Sequence, residues 1–206
     1  MSLAYVFLRN FLSVLKTMSY WKVFLSYFVF YLGRRHYRFH KTQGSQFDTP
    51  SFTYGETPYY LWDLMALYFK PKDKVMDLGC GRGNGLMYAA KKYPILCLGI
   101  EAIEPFTLIG SQIAKLCGVG NIQFMHKDLS LYKLPKADVV YLAGTCFSDE
   151  LLETLAFELL KIKPRLIFSI STSLEEYGLS GYETSEFFIV MPWGRTTLFK
   201  MELKPS

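Results

Sequence analysis

The stretch Lys74–Gly85, "KVMDLGCGRGNG", decides the fold: a short apolar run breaks into alternating glycines and passes straight into a helix-forming segment. A strand that enters a helix through glycines reads as the first turn of a parallel α/β sheet, whose ligands lie at the carboxyl ends of the strands. A dinucleotide fingerprint would place a third glycine three positions after the second. Here Gly79, Gly81 and Gly83 alternate instead, and Asn84 holds that third position. Asp77 stands two residues before the first glycine. A carboxylate aimed at a pyrophosphate is repelled, whereas beside a cation it is attracted, so this turn is expected to hold a cationic ligand.

Outward from the turn, short apolar runs alternate with helical segments. Strands are expected near 74–78, 95–100, 121–126, 137–143 and 165–170, and helices near 84–92, 105–117 and 148–161. Strands separated by helices of that length make a parallel sheet covered on both faces. Upstream, "TPYYLWDLMALYF" (57–69) has helical periodicity, with Thr57 as its cap, Pro58 in the first turn and Pro71 as its stop. At the other end, "EFFIVMPW" and "RTTLFKMEL" are strand-like runs around a short connection, an antiparallel hairpin at one sheet edge that brings the count to seven strands.

"VMDLGCGRGN" resembles motif I of the class I, seven-strand S-adenosylmethionine-dependent methyltransferases, over about Phe52–Leu203. The resemblance implies a doubly wound, mostly parallel, Rossmann-like sheet and S-adenosylmethionine as cofactor, whose sulfonium and ammonium groups suit the acid at Asp77. Glu101 in "LCLGIEAIEP" falls 24 residues after Asp77, where a carboxylate can accept from both ribose hydroxyls. Asp128 in "FMHKDLS", with Leu129 beside it, ends the third strand, where the family often places a group near the adenine.

"FTYGETPYYLWDLM" resembles the non-SET histone-lysine methyltransferases of the same fold, in which the loop containing "YGE" closes over the methionine end of the cofactor. It implies Tyr54 and Glu56 at both the cofactor and the chemistry, and Thr145, on the loop after the fourth strand, as a third catalytic residue. The cofactor set is then Tyr54, Glu56, Asp77, Gly79, Gly81, Gly83, Asn84, Glu101, Asp128 and Leu129. After "ADVVYL" the family carries an asparagine pair; Ala143, Gly144 and Thr145 stand there instead. Phe147 and Trp193, with Tyr54, could line an acceptor channel.

Residues 1–47 contain seven basic residues and no acid, leaving 16 basic against 18 acidic residues in the remainder. A body without a basic surplus argues against broad contact with a phosphate backbone, so no nucleic-acid partner is expected. Residues 3–17 form an amphipathic pattern with Arg9, Ser13 and Lys16 on one face, and Thr17–Gly33 carries only Lys22. Either lies on a membrane or makes a short span. The basic "GRRHYRFHK" that follows favours anionic cytoplasmic headgroups. Residues 1–41 are thus expected to form a membrane-associating helical arm, 42–52 a linker and 53–206 the catalytic domain, in the cytoplasm at the membrane.

That arm resembles the arms of membrane-anchored protein-lysine methyltransferases, which implies a protein acceptor near the membrane. A small or lipid-like acceptor, or a non-catalytic cofactor-binding scaffold, are the alternatives. Four scattered cysteines and three histidines show no ligand spacing, so no metal is expected.

Overall fold

The computed structural model describes Arg9 and residues 56–205. The arm, the linker and Tyr54 otherwise lie outside the described residues, and with them the boundaries drawn at 41 and 52. No helix among the described residues is long and apolar enough to cross a membrane.

The chain builds one seven-stranded sheet. In chain order the elements are α1 (Tyr59–Met65), β1 (Lys74–Leu78), α2 (Asn84–Lys92), β2 (Leu96–Glu101), α3 (Glu104–Leu116) and β3 (Ile122–His126). There follow β4 (Val139–Leu142), α4 (Asp149–Ile162), β5 (Leu166–Ile170), β6 (Tyr182–Met191) and β7 (Gly194–Leu203). Across the sheet the order is β3-β2-β1-β4-β5-β7-β6. The five strands β1 to β5 are parallel, and β7 runs antiparallel between β5 and β6. The expected alternation and the terminal hairpin are both present.

Both faces of the sheet are covered, as the unbroken apolar runs of β1, β4 and β5 require. Alternate residues of each strand enter different cores. Val75, Val139, Tyr141, Leu166 and Phe168 pack with α1, α2 and α3, whereas Met76, Val140, Leu142 and Ile167 pack with α4. Ser148 caps α4 by accepting from the Leu151 amide, and Asp149 and Glu150 complement the positive end of its dipole.

One local expectation fails. Thr57 does not cap α1; Pro58 holds the cap position without a side-chain bond, and the α-helix ends at Met65 before a 3-10 turn over Ala66–Tyr68. The Thr57 hydroxyl has a better use, a 2.6 Å hydrogen bond with the Tyr141 hydroxyl on β4. That bond anchors the entry to α1 on the middle of the sheet.

Chain order reverses between β1, which continues to β2 on one side, and β4 on the other. The crevice above the carboxyl ends of β1 and β4 is therefore the place where the fold exposes backbone to a ligand. Because β7 is antiparallel, the tip of the β6–β7 hairpin with Trp193 rises on this same edge, beyond β5.

Candidate active site

Gly79, Gly81 and Gly83 all adopt left-handed φ, at +77°, +56° and +72°. Side chains rarely take that conformation, so the alternating glycines are what let the chain leave β1 and enter α2 in so few residues. The space is also closed to larger residues: a Cβ on Gly83 would lie 2.1 Å from Phe124 Cε1, and one on Gly79 would lie 2.9 Å from Phe147 Cζ.

Asp77 is buried beneath the turn at the end of β1, at 6% exposure. Burial, reinforced by the neighbouring Glu101 carboxylate, pushes its acid up to about 8. Among the described residues no side chain pairs with it. A buried carboxyl of this kind gains from any cation that enters the crevice.

Glu101, at the end of β2, is also buried. Its Oε2 accepts from the Gly81 amide at 2.8 Å and its Oε1 from the Ile103 amide at 2.9 Å. Burial raises its acid, and the Ile103, Gly81 and Ala102 amides, with the nearby His126, pull it back towards the charged form. A carboxylate offers about four lone-pair positions, so acceptor capacity remains for a hydroxyl donor. Glu101 therefore shapes the glycine turn while keeping the capacity expected of it.

Glu56 reaches the turn from the other side. Its Oε2 accepts from Asn84 Nδ2 at 2.8 Å, and its Oε1 lies 3.6 Å from the Arg82 guanidinium. Asn84 Oδ1 in turn accepts from the Tyr59 hydroxyl. The acid of "YGE" is thus engaged with the first residue of α2, an arrangement suited to holding the entry segment over the turn.

Asp128 and Leu129 follow β3 on the far side of Glu101. Leu129 is buried, but Asp128 is exposed and its Oδ1 accepts from both the amide and the hydroxyl of Ser130. Thr145 is exposed on the loop after β4, and Phe147 on the same loop lies against Gly79.

The crevice itself is lined by Glu56, Asp77, Gly79 and Asn84 from the expected set, and by Trp62 and Tyr141, which sequence reasoning missed. Tyr141 carried a signal: its polar tip sits in a central strand and pairs in register with Asp77. Trp62 carried none, being one aromatic in a helix full of them. Among the described residues no cluster of His, Cys, Asp and Glu could hold a metal.

No family model matches the chain. It is 30% identical over 93 residues to a tRNA (guanine-N(7)-)-methyltransferase of Campylobacter jejuni, covering 42% of this chain and 24% of that protein. It is 29% identical over 108 residues to a 23S rRNA (uracil(1939)-C(5))-methyltransferase of Aliivibrio salmonicida, covering 40% and 24%. The chain thus spans about a quarter of the length of these curated relatives. Among solved structures, an RNA methyltransferase from Salinibacter ruber in complex with S-adenosyl-L-homocysteine superposes with a TM-score of 0.57, and the [4+2]-cyclase SpnF with a TM-score of 0.58 at 14% identity over 72% of this chain and 82% of that one. The Salinibacter protein is 21% identical, over 74% of this chain and 96% of that one.

These relatives correct one expectation drawn from charge and from the "YGE" resemblance. A protein acceptor with no nucleic-acid partner is not what they point to, since both curated relatives act on RNA by name. Net charge misled because it reports only the sum over a surface. The sheet order and the structural likeness agree: the chain has the seven-strand, mostly parallel fold of the class I S-adenosylmethionine-dependent methyltransferases.

Proposed function

We propose that this chain is an S-adenosylmethionine-dependent methyltransferase whose acceptor is a base in RNA. The observation that carries the cofactor reading is the acid pair at adjacent strand ends: Asp77 beneath the glycine turn and Glu101 bonded to it. Asp77 suits a positively charged ligand, and the free lone pairs of Glu101 suit a ribose. The RNA reading is supported by the named activities of the relatives.

The cofactor would supply an electrophilic methyl group. What remains for the protein is alignment, which can remove roughly 7–11 kcal/mol of barrier when the reacting atoms are held in line. The glycine turn, Asp77 and Glu101 would hold the donor; the loop carrying Thr145 and Phe147 would border the acceptor. Glu56 is committed to Asn84 and Arg82, and is better placed to organise than to take a proton. A ring nitrogen with a free lone pair needs no base, which suits such a site. Phe188 and Trp193, exposed near the hairpin tip on the same edge, offer faces for base stacking.

The basic residues Arg34, Arg35, Arg38 and Lys41 give the charge surplus of the first 47 residues a use in this reading, as contacts to phosphate. Incubating the full chain with methyl-tritiated cofactor and total cellular extract tests the proposal. Label that ribonuclease releases and protease does not is expected. Label in protein, or in molecules passing a small-pore filter, overturns the acceptor; no transfer at all overturns the enzyme.

A further inference from the structure

We infer that the end of the sheet opposite the crevice, where the parallel strands begin, is a docking surface for the phosphate backbone of a folded RNA. The inference deepens the acceptor reading and rests on it for the identity of the polyanion, because such an RNA is what would carry the base to be methylated.

Sheet topology gathers lysines from distant parts of the chain at this end. Lys70 and Lys72 lie in the turn before β1, and Lys74 is the first residue of that strand. The Lys72 amide donates to the Pro94 carbonyl, ahead of β2, at 2.6 Å. Lys136 stands just before Asp138, whose amide bonds the Lys74 carbonyl. Lys163 caps the end of α4 ahead of β5. Because β7 is antiparallel, its exit at Lys204 returns to the same end, where the Leu203 amide bonds the Arg165 carbonyl. All six lysines are exposed, and none forms an ion pair among the described residues.

Most acids nearby are already engaged. Asp73 is held by Arg165 at 2.7 Å, Glu202 by Lys200 at 3.2 Å, and Asp138 accepts the Lys74 amide at 2.8 Å, which leaves Glu183 at the β6 edge. The edge that holds the crevice has the reverse character. Glu104, Asp149, Glu150, Glu175 and Glu176 lie in the first helical turns that follow β2, β4 and β5. Against them stand Lys127 and Arg195, while Arg82 is committed to Glu56. The near balance of 16 basic and 18 acidic residues beyond residue 47 thus conceals a separation of charge along the strands.

Complementing a helix dipole accounts for Lys163, but not for Lys72, Lys74, Lys136 or Lys204, which flank strands. Like charges gathered without partners repel one another. A polyanion laid across them removes that repulsion and releases its own counterions. The acidic edge repels the same backbone, so the body's affinity for RNA has to come from this end. At about 3.3 Å per residue β1 spans roughly 17 Å, which keeps phosphates bound here remote from the reacting base. The acceptor is then a folded RNA that reaches round the sheet, and not a nucleotide or a short oligomer.

The salt dependence of binding tests this, with the full chain and fluorescently tagged bulk tRNA as the probe. Lys72, Lys74, Lys136 and Lys204 are changed together to Gln. Each lysine that neutralises a phosphate contributes about 0.7–0.9 to the slope of log affinity against log salt. The quadruple Gln variant should therefore show a slope shallower by roughly 3, and at about 0.1 M salt should bind at least roughly tenfold more weakly. The difference belongs to this face alone, since the basic residues of 1–47 are present in both proteins. The quadruple Lys→Arg variant keeps the charge and should bind as the wild type does. Both variants should bind S-adenosylhomocysteine as the wild type does, which checks their folding. If the quadruple Gln variant loses that binding, the four single Gln variants carry the test, each with a slope shallower by about 0.7–0.9.

Equal slopes in wild type and Gln variants overturn the proposal. So does a wild type that binds phosphatidylserine vesicles and not tRNA, which would make the face a membrane contact. Methyl transfer tells the two readings apart. Label in RNA with equal slopes removes the docking face and leaves the acceptor reading standing. A shallower variant slope with no label in any RNA keeps the face and removes the acceptor.

Discussion

Glu101 Oε2 accepts the Gly81 amide at 2.8 Å, so the acid that ends β2 holds the turn that follows β1. One carboxylate thereby sets the shape of the glycine turn and presents its remaining lone pairs to the crevice. Glu101→Gln tests both roles, because an amide has half the acceptor capacity and brings two donors towards two backbone donors. Binding of S-adenosylhomocysteine should weaken by about 1.5–3 kcal/mol, roughly tenfold to a hundredfold, in a calorimetric titration. Unchanged affinity would remove Glu101 from the site.

Asp77 makes both stability and binding depend on pH. Its folded acid lies near 8, against an ordinary value of 3.8, through burial and the nearby Glu101 carboxylate. The folded state then holds its proton more tightly than the unfolded state. The stability this contributes is complete below about pH 4 and is lost as pH rises through about 8. Asp77→Asn should therefore gain on the wild type over that window, with a melting temperature higher by on the order of a few degrees at pH 8.

Binding should respond in the opposite sense. A cationic ligand favours ionised Asp77, so wild-type affinity for S-adenosylmethionine should rise with pH up to about 8 and then level. The Asn variant should bind more weakly and without that rise. Proton release on binding, measured by calorimetry in two buffers of different ionisation enthalpy, checks the same point. A pH-independent wild type would place the cation elsewhere.

Glu56→Gln separates charge from hydrogen bonding. The glutamine carbonyl can still accept from Asn84, while the attraction to Arg82 is lost. An organising Glu56 predicts a turnover number within about tenfold of wild type and a raised KM for the cofactor. A general base predicts instead a loss of roughly 10²–10⁴ in turnover. Steady-state kinetics on whichever RNA fraction accepts label distinguishes the two.

Much of this was legible in the sequence, for identifiable reasons. Glycines at 79, 81 and 83 announce left-handed backbone, which few residues tolerate, and the apolar runs of β1, β4 and β5 match strands buried on both faces. Those signals are local. The crevice-lining roles of Trp62 and Tyr141 are not, since each depends on which elements the sheet brings together across long separations. Thr57 shows the same limit: local rules make it a cap, and a hydroxyl 84 positions away claims it instead. The expectation of no nucleic-acid partner came from a net charge that sums over the whole surface and says nothing of where a partner touches.

Gly83→Ala isolates the steric demand of the turn from its chemistry. The position combines a φ of +72° with a side-chain ring only 2.1 Å from where the new Cβ must go. Either the backbone leaves its left-handed conformation, which tilts α2 and carries Asn84 away from Glu56, or the Phe124 ring yields. Strain of the first kind costs about 1–2 kcal/mol, and forcing an extra carbon into packed surroundings adds about 1–3 kcal/mol. The melting temperature should fall by roughly 2–4 °C for each kcal/mol. Gly83→Ala paired with Phe124→Ala separates the terms, because the smaller side chain removes the clash and leaves the backbone strain. Recovery of most of the lost stability, measured against Phe124→Ala alone, would assign the cost to the ring; no recovery would assign it to φ.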